Sequence, residues 1–289
     1  MSGPAPGLDF RDMTGADLGQ GLALSRSAGW NQTLEDWRLL LSLGPGLFRV
    51  VLRGGEIVAS GGAARYGTLA WICMILVAPA ERGRGLGTRV FDDVLDRVRR
   101  LAGEGELRSV GLDATPAGRG LYLQRGFVDG PALVRLRVEP GGAAGRSSVT
   151  TPLSAAELDR VLEQDRSVFG ADRGAVLRAL AASAPELAHV VFEGGSVRAY
   201  CFGRHGDHAD QLGPIVGEGD RALALVRSAL AAPRRRPLIL DARAEPRWLA
   251  ALAGLGFREA RALTRMYLGP ARPPARPELE PVILGPEFG

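Results

Sequence analysis

The sequence predicts an α/β fold with a mixed sheet, present twice in tandem. Three observations carry this reading. Thr68 to Val77 is an almost wholly apolar run without alternation, as expected of a strand buried on both faces, and a glycine-rich turn and an amphipathic helix follow it. The order of the first half is hairpin, central strand, turn, helix, strand, short helix and closing strand, and the second half repeats it. Both halves also end alike: a short helix, then Gly-Phe (Gly126-Phe127 and Gly256-Phe257), then a last strand. This is the pattern of a degenerate duplication, a pair of copies and not a solenoid. A length of 289 residues suits two domains.

Taken in order, Arg11 to Ser27 reads as a first strand and a short helix. Thr33 is a good N-cap with Asp36 three residues on, and Leu34, Trp37, Leu40 and Leu41 fall at helical spacing until Gly44-Pro45-Gly46 stops the helix. Leu47 to Leu52 and Glu56 to Ala64 form a hairpin around Gly54-Gly55. The central strand ends at Pro79. Beyond the turn, Leu86, Val90, Val94, Val98 and Leu101 make one helix face. Arg108 to Ala114 is a strand, Arg119 to Arg125 a short helix, and Phe127 to Val138 supplies the closing strands.

In the second copy, Ala155 to Phe169 and Arg173 to Ala182 are helices, and Ala188 to Gly203 is a hairpin around Gly194-Gly195. A strand at Gln211 to Val216, a helix at Asp220 to Ala231, a strand at Pro237 to Ala242, a helix at Arg247 to Ala253 and strands to Leu268 complete it. The expected division is therefore an N-terminal domain at 1–139, a Gly/Ala-rich linker at 140–151, a C-terminal domain at 152–269 and a Pro-rich tail at 270–289 that reads as extended or disordered.

Composition excludes several chemistries. The chain is 46% hydrophobic and 24% charged, the proportions of a soluble globular protein. All 36 basic residues are Arg, so a Walker A lysine, a pyridoxal phosphate Schiff base and lysine-based aldol chemistry are absent. Total use of Arg with 40 Gly and 19 Pro suggests a GC-rich bacterial coding bias. Cys73 and Cys201 lie far apart in apolar strands, which is neither a disulfide framework nor a zinc cluster and suits a reducing cytoplasm. There is no secretory pattern at the start and no apolar run long enough to span a membrane. His205 and His208 are too few for a metal site, and Arg234-Arg235-Arg236 reads as a solvated loop, so neither a metal nor a nucleic-acid partner is expected.

The informative feature is the junction Arg82-Gly83-Arg84-Gly85-Leu86-Gly87-Thr88 between the buried strand and its helix. Unpaired amides at a helix N-terminus, reinforced by the helix dipole, form an anion cradle. Glycine permits φ > 0 and close approach of a phosphate to the backbone. Arg82 and Arg84 add bidentate donors, and Thr88 adds a hydroxyl. A dinucleotide fingerprint fits poorly, because its third glycine position is Thr88.

This turn, placed after Trp71 to Val77, resembles the acetyl-CoA pyrophosphate loop of the GCN5-related N-acetyltransferases. The resemblance extends over most of residues 8–138 and includes Leu121-Tyr122-Leu123-Gln124-Arg125-Gly126-Phe127, which matches the family's second signature. Gly29-Trp30-Asn31-Gln32-Thr33 and Leu112-Asp113-Ala114-Thr115-Pro116 resemble a two-domain bacterial branch whose second half is a degenerate copy. The resemblance implies direct acetyl transfer from acetyl-CoA, as cosubstrate and without a metal, to an amine. It places the pyrophosphate on Arg82, Gly83, Arg84, Gly85, Leu86, Gly87 and Thr88, and the pantetheine arm and thioester oxygen on the backbone of Ile75, Leu76 and Val77. Tyr122 would protonate the departing thiolate; its alternative is an aromatic packed beneath the sheet. Asp113 could act as base, directly or through water, bind the acceptor's ammonium, or cap a turn. Trp30 and Asn31 would shape the acceptor pocket, or Trp30 would simply pack in the core.

The matching junction of the second copy, Leu212 to Asp220, has no Arg, two acids and Pro214, so no acetyl-CoA is expected there. The expected acceptor is a small or amino-acid-like amine, and the expected state is monomer or homodimer. A protein or peptide N-acetyltransferase and a non-catalytic acyl-CoA sensor are the alternatives.

Overall fold

The computed structural model describes residues 7–141, 147–233, 235–270 and 273–289, so most of the expected linker core and Arg234 lie outside the described residues. Two compact units are present, one up to Val110 and one from Gly111 to Glu287.

The first unit builds an antiparallel sheet in the order β1 (Leu8–Asp12), β2 (Arg49–Arg53), β3 (Glu56–Tyr66) and β4 (Leu69–Val77). Helices α1 (Leu18–Ser27) and α2 (Leu34–Leu43) precede the hairpin, and α3 (Leu86–Gly103) follows β4. The expected cap of α2 is a full capping box: Thr33 Oγ1 accepts from the Asp36 amide at 3.2 Å, and Asp36 Oδ2 accepts from the Thr33 amide at 2.7 Å. The predicted face of α3 is buried at Leu86, Val90, Val94 and Val98. Gly61 lets this helix approach the sheet, since a Cβ there would lie 2.6 Å from Val90 and from Ile75.

β4 is buried along most of its length, as its apolar run requires. Its pairing with β3 slips between Ser60, opposite Leu76, and Gly62, opposite Cys73. Two β4 residues, Met74 and Ile75, therefore stand against Gly61. Met74 has φ 56°, a left-handed conformation that costs a non-glycine residue about 1–2 kcal/mol. Ser60 Oγ donates to the Met74 carbonyl at 3.0 Å and holds this bulge.

The second unit contains β5 (Ser109–Ala114, from Gly111), α4 (Pro116–Leu123), β6 (Val128–Val138), β7 (Thr151–Pro152), α5 (Ala155–Phe169), α6 (Gly174–Ser183), β8 (His189–Glu193), β9 (Ser196–His205), β10 (Asp210–Val216), α7 (Gly219–Ala231), β11 (Leu238–Arg243), α8 (Pro246–Gly254), β12 (Arg258–Leu268) and β13 (Val282–Ile283). The strand order is β5-β12-β6-β11-β13-β10-β9-β8-β7. The closing strands of the two sequence halves are interleaved: β12 lies between β5 and β6, and β6 pairs with β11 as well as β12. For this reason the compact units divide after Val110, while the sequence repeat divides near Glu139.

Two buried ion pairs join the interleaved strands. Arg265 on β12 binds both oxygens of Asp113 on β5 at 2.9 Å, with neither side chain exposed. Arg135 on β6 binds both oxygens of Asp241 on β11, at 2.8 and 2.7 Å.

Of the two states expected for the tail, extended or disordered, its described strand residues take the extended one, and they are ordered by pairing. Val282 and Ile283 pair as β13 with β10 and β11, and Leu279, Glu280, Val282, Ile283 and Leu284 are buried. Buried Glu280 accepts from buried Arg173 at 2.6 Å, and the Gly217 amide donates to the Leu279 carbonyl at 2.8 Å. Proline is unsuited to the interior of an α-helix, but it leaves its carbonyl free to accept. The helix expected at Arg119 begins earlier, at Pro116, because Thr115 caps it and proline suits the first helical position.

Arg265→Ala leaves Asp113 charged and buried, and should cost about 3–5 kcal/mol in denaturant unfolding, whereas replacing both by leucine should recover most of it. Asp17 accepts from Arg11 at 2.7 and 2.8 Å and from the Thr14 amide at 2.8 Å, which holds its carboxyl at about 2. A carboxylate with a depressed folded pKa stabilises above its unfolded value and loses that contribution as pH falls. Stability should therefore drop from about pH 4 towards 2, and Asp17→Asn should flatten that part of a pH–stability curve.

Candidate functional site

The cradle belongs to the first unit and is built by the end of β4, the short turn Pro79–Glu81 and the start of α3. Gly83 and Gly85 have φ 75° and 76°, and a Cβ on either would meet no atom within 4 Å. The backbone thus turns where only glycine does so without strain, and its face is open. Gly85 is the N-cap of α3 and no side chain caps the helix. The first helical bond there runs from the Arg89 amide to the Gly85 carbonyl at 3.1 Å, so the amides of Leu86, Gly87 and Thr88 precede it. An 18-residue helix concentrates about half a positive charge at this end.

Both loop arginines are exposed and directed by the protein. Arg82 Nε donates to the Val77 carbonyl at 3.2 Å. Arg84 pairs with Glu81 at 3.0 Å. Glu81 is buried and also accepts from Arg53 Nη2 at 3.2 Å. The sequence marks neither Glu81 nor Arg53 as part of the cradle, beyond the three-residue spacing of Glu81 and Arg84. Ile75 and Val77 pack with the cluster of Val51, Ala59, Leu86 and Val90, while Leu76 turns into the core. Thr88 is half-buried in the first turn of α3.

Trp30 and Asn31 lie in the same unit, on the α1–α2 connection. Trp30 is half-exposed and its amide donates to the Ser25 carbonyl at 3.0 Å, whereas Asn31 is buried. Their neighbour Gln32 is also buried, and its Oε1 has no donor among the described residues. Nothing in the sequence distinguished Gln32.

Asp113 and Tyr122 belong to the second unit. Both Asp113 oxygens are held by Arg265 in a fully buried pair, and its carboxyl has no exposed surface from which to take a proton. Of the roles the sequence left open, the geometry supports none and gives Asp113 a fourth, an interstrand ion pair. Tyr122 is half-buried near the end of α4, with its ring 6.3 Å from Phe127. Burial pushes its phenol up to about 12, so it is a proton donor at neutral pH. Gly118, one turn earlier, makes room for it: a Cβ there would stand 3.2 Å from the phenol oxygen.

The Tyr-to-Phe signature has a structural cause. Gly126, at φ 88°, ends the helix, and the Phe127 amide returns to the Tyr122 carbonyl at 3.2 Å. The second copy closes the same way, with Gly256 at φ 90° and the Phe257 amide on the Leu252 carbonyl at 3.2 Å. There the position of Tyr122 is Leu252, which has no proton to give. The α7 junction of that copy has no arginine, and its Gly217 amide is used by the tail.

The remaining polar motifs are accounted for locally. His205 lies 2.9 Å from Asp210 through Nδ1 and 3.0 Å from Glu186 through Nε2, on opposite ring nitrogens, and no group of three or more His, Cys, Asp or Glu placed to hold a metal ion occurs among the described residues. Arg236 donates to the Gly206 carbonyl at 2.6 Å. No described helix is long and apolar enough to cross a membrane.

Comparison with known proteins agrees with this architecture. Residues 20–127 match the model of the acetyltransferase (GNAT) family, and residues 161–279 match that of an acetyltransferase (GNAT) domain. No curated protein matches the chain. Among solved structures, a Pyrococcus horikoshii protein described as a candidate acetyltransferase superposes with TM-score 0.79 at 22% identity, covering 98% of this chain and 96% of its own. A GCN5-related N-acetyltransferase from Sphaerobacter thermophilus gives TM-score 0.66 at 18% identity, covering 92% of this chain and 97% of its own. A tandem GNAT protein from the clavulanic acid biosynthesis pathway gives 0.57 at 17%, covering 92% and 100%. At these identities the likeness is one of fold. With a family domain in each half and the same tandem fold, the chain belongs to the GCN5-related N-acetyltransferase superfamily.

Proposed function

We propose that the chain is an N-acetyltransferase that moves an acetyl group from acetyl-CoA directly to the amine of a small or amino-acid-like acceptor, using its first half. One asymmetry carries this reading. The first copy keeps an open, arginine-flanked turn at an uncapped helix and a phenol at the Gly-Phe signature; the second has acids at the turn and Leu252 in place of the phenol.

Acetyl-CoA supplies an activated thioester. The residues present fit its diphosphate: the faces of Gly83 and Gly85 are open, and Arg82 and Arg84 stand exposed beside the first amides of α3. Charge-assisted bonds from arginine and a helix N-terminus suit a dianionic ligand. The bulge at Met74 interrupts the β3 ladder next to Ile75, which is where the strand's backbone can turn to a ligand and to the developing oxyanion. Tyr122 holds its proton throughout the neutral range and donates it to the departing thiolate. A phenol at about 12 gives up its proton fully only if the thiolate is equally desolvated; short of that it stabilises the thiolate by hydrogen bonding. Asp113 takes no part in this scheme: the acceptor amine arrives neutral from solvent, and as the C–S bond breaks the proton its nitrogen sheds passes to water, while water returns one to Tyr122. Trp30 and its neighbours form the acceptor side.

Tyr122→Phe should lower kcat about a hundredfold with CoA affinity nearly unchanged, and the wild-type profile should show no descending limb from Tyr122 below about pH 10. Unchanged turnover would remove the phenol from the mechanism. Arg82→Ala should weaken CoA binding about tenfold by titration calorimetry. Tight CoA binding with no thiol release from any amine would instead indicate a sensor, and release only with peptides would indicate a peptide acetyltransferase.

A further inference from the structure

The second unit contains a cavity of about 430 Å³, bordered by the start of α7, the end of β11, α8 and the tail. That is the size of a small-molecule site. Leu223, Trp248 and Ala251 give it an apolar wall, and Pro281 of the tail lines it as well. The structured tail therefore helps to form this space.

The charges lining it are unevenly satisfied. Arg243 is half-buried; its amide donates to the Pro281 carbonyl and its Nε to the Glu280 main-chain carbonyl, both at 2.9 Å. The first fixes the main chain, and the Nε bond orients the guanidinium. Its terminal nitrogens have no ion pair among the described residues, because the nearby acids are committed elsewhere. Glu280 is bound by Arg173 at 2.6 Å, and Glu245 caps α8, accepting from the Arg247 and Trp248 amides at 3.2 and 2.8 Å. Burial and the neighbouring Arg265 charge both push the Arg243 guanidinium below its ordinary value. A partly desolvated cation without a counter-ion favours an anionic group brought by a ligand. Also lining the cavity, Asp220 is an exposed carboxylate with no ion pair among the described residues, in the first turn of α7. Arg247 and Glu278 stand exposed among the lining residues.

A lone carboxylate would satisfy Arg243 and be repelled by Asp220 and Glu245; a lone amine would do the reverse. A zwitterion with an apolar side chain satisfies both charges and the wall. We propose that this cavity is a binding site for an apolar α-amino acid, with Arg243 taking its carboxylate, Asp220 taking its ammonium, and Leu223, Trp248 and Ala251 receiving its side chain. The site is independent of the acetyl-transfer reading, and its occupancy requires no acetyl-CoA.

The test is calorimetric titration of the full chain with L-phenylalanine, without acetyl-CoA. Binding is expected, and phenylacetate and phenethylamine, each lacking one charge, should bind at least tenfold more weakly. Arg243→Gln should weaken L-phenylalanine at least tenfold. Ala251→Phe, on a half-buried face of α8, should abolish binding by filling the cavity, and covers the case in which Arg243→Gln does not fold. The proposal is overturned if L-phenylalanine, L-leucine and L-methionine all fail to bind at millimolar concentration, or if phenethylamine binds as well as L-phenylalanine. It is equally overturned if the folded variants bind like wild type, or if CoA displaces the amino acid, which would mark a second nucleotide site. None of these outcomes depends on turnover, so failure here leaves the first-half assignment standing.

Discussion

Unpaired amides at the start of α3 are the constraint on which the rest of the first unit depends. A helix N-terminus must find acceptors, and this one has no side-chain cap. Gly83 and Gly85 keep the approach open, Glu81 directs Arg84 beside it, and Gly61 seats the helix against the strand that feeds the turn. Gly61 serves the packing of the helix alone, whereas the missing cap and the open turn are useful if a diphosphate completes the first turn. The strained Met74 belongs to the same set, since its bulge breaks the ladder just before the cradle.

The second copy lacks the same set. Its turn at Leu212 to Asp220 has no arginine, its Gly-Phe signature has Leu252 where the first has Tyr122, and its central strands β10 and β11 hold the chain's own tail. The tail is fastened by main-chain bonds and by Glu280 on Arg173. Closing strands are interleaved and held by the Asp113–Arg265 and Asp241–Arg135 pairs, so sequence repeat and compact unit do not coincide. Breaking such a buried pair is costly, although forming it contributes little net stability. Its value lies in register: Asp113 on β5 meets Arg265 on β12 only when β12 lies beside β5.

Local physics made much of this readable. The Thr33 capping box, the buried β4 and the apolar face of α3 depend on residues near one another in sequence, and they stand where spacing placed them. The Gly-Phe signature was legible as a pattern, but its cause, an amide returning to the Tyr122 carbonyl, is visible only in three dimensions. What the sequence concealed is long-range. Asp113 looked free because its partner is 152 residues away. Glu81 gave little signal because Arg53 comes from another strand. The tail read as extended or disordered because proline content says nothing about pairing partners elsewhere in the chain.

The central claim is that the first-half cradle, and not its counterpart in the second half, grips the cofactor. A crystal structure of the chain with CoA tests it most directly. The account predicts one CoA per chain, with its diphosphate on the amides following Gly85 and near Arg82 and Arg84. A diphosphate at Gly217 to Asp220, or CoA bound with that first turn bare, would contradict it.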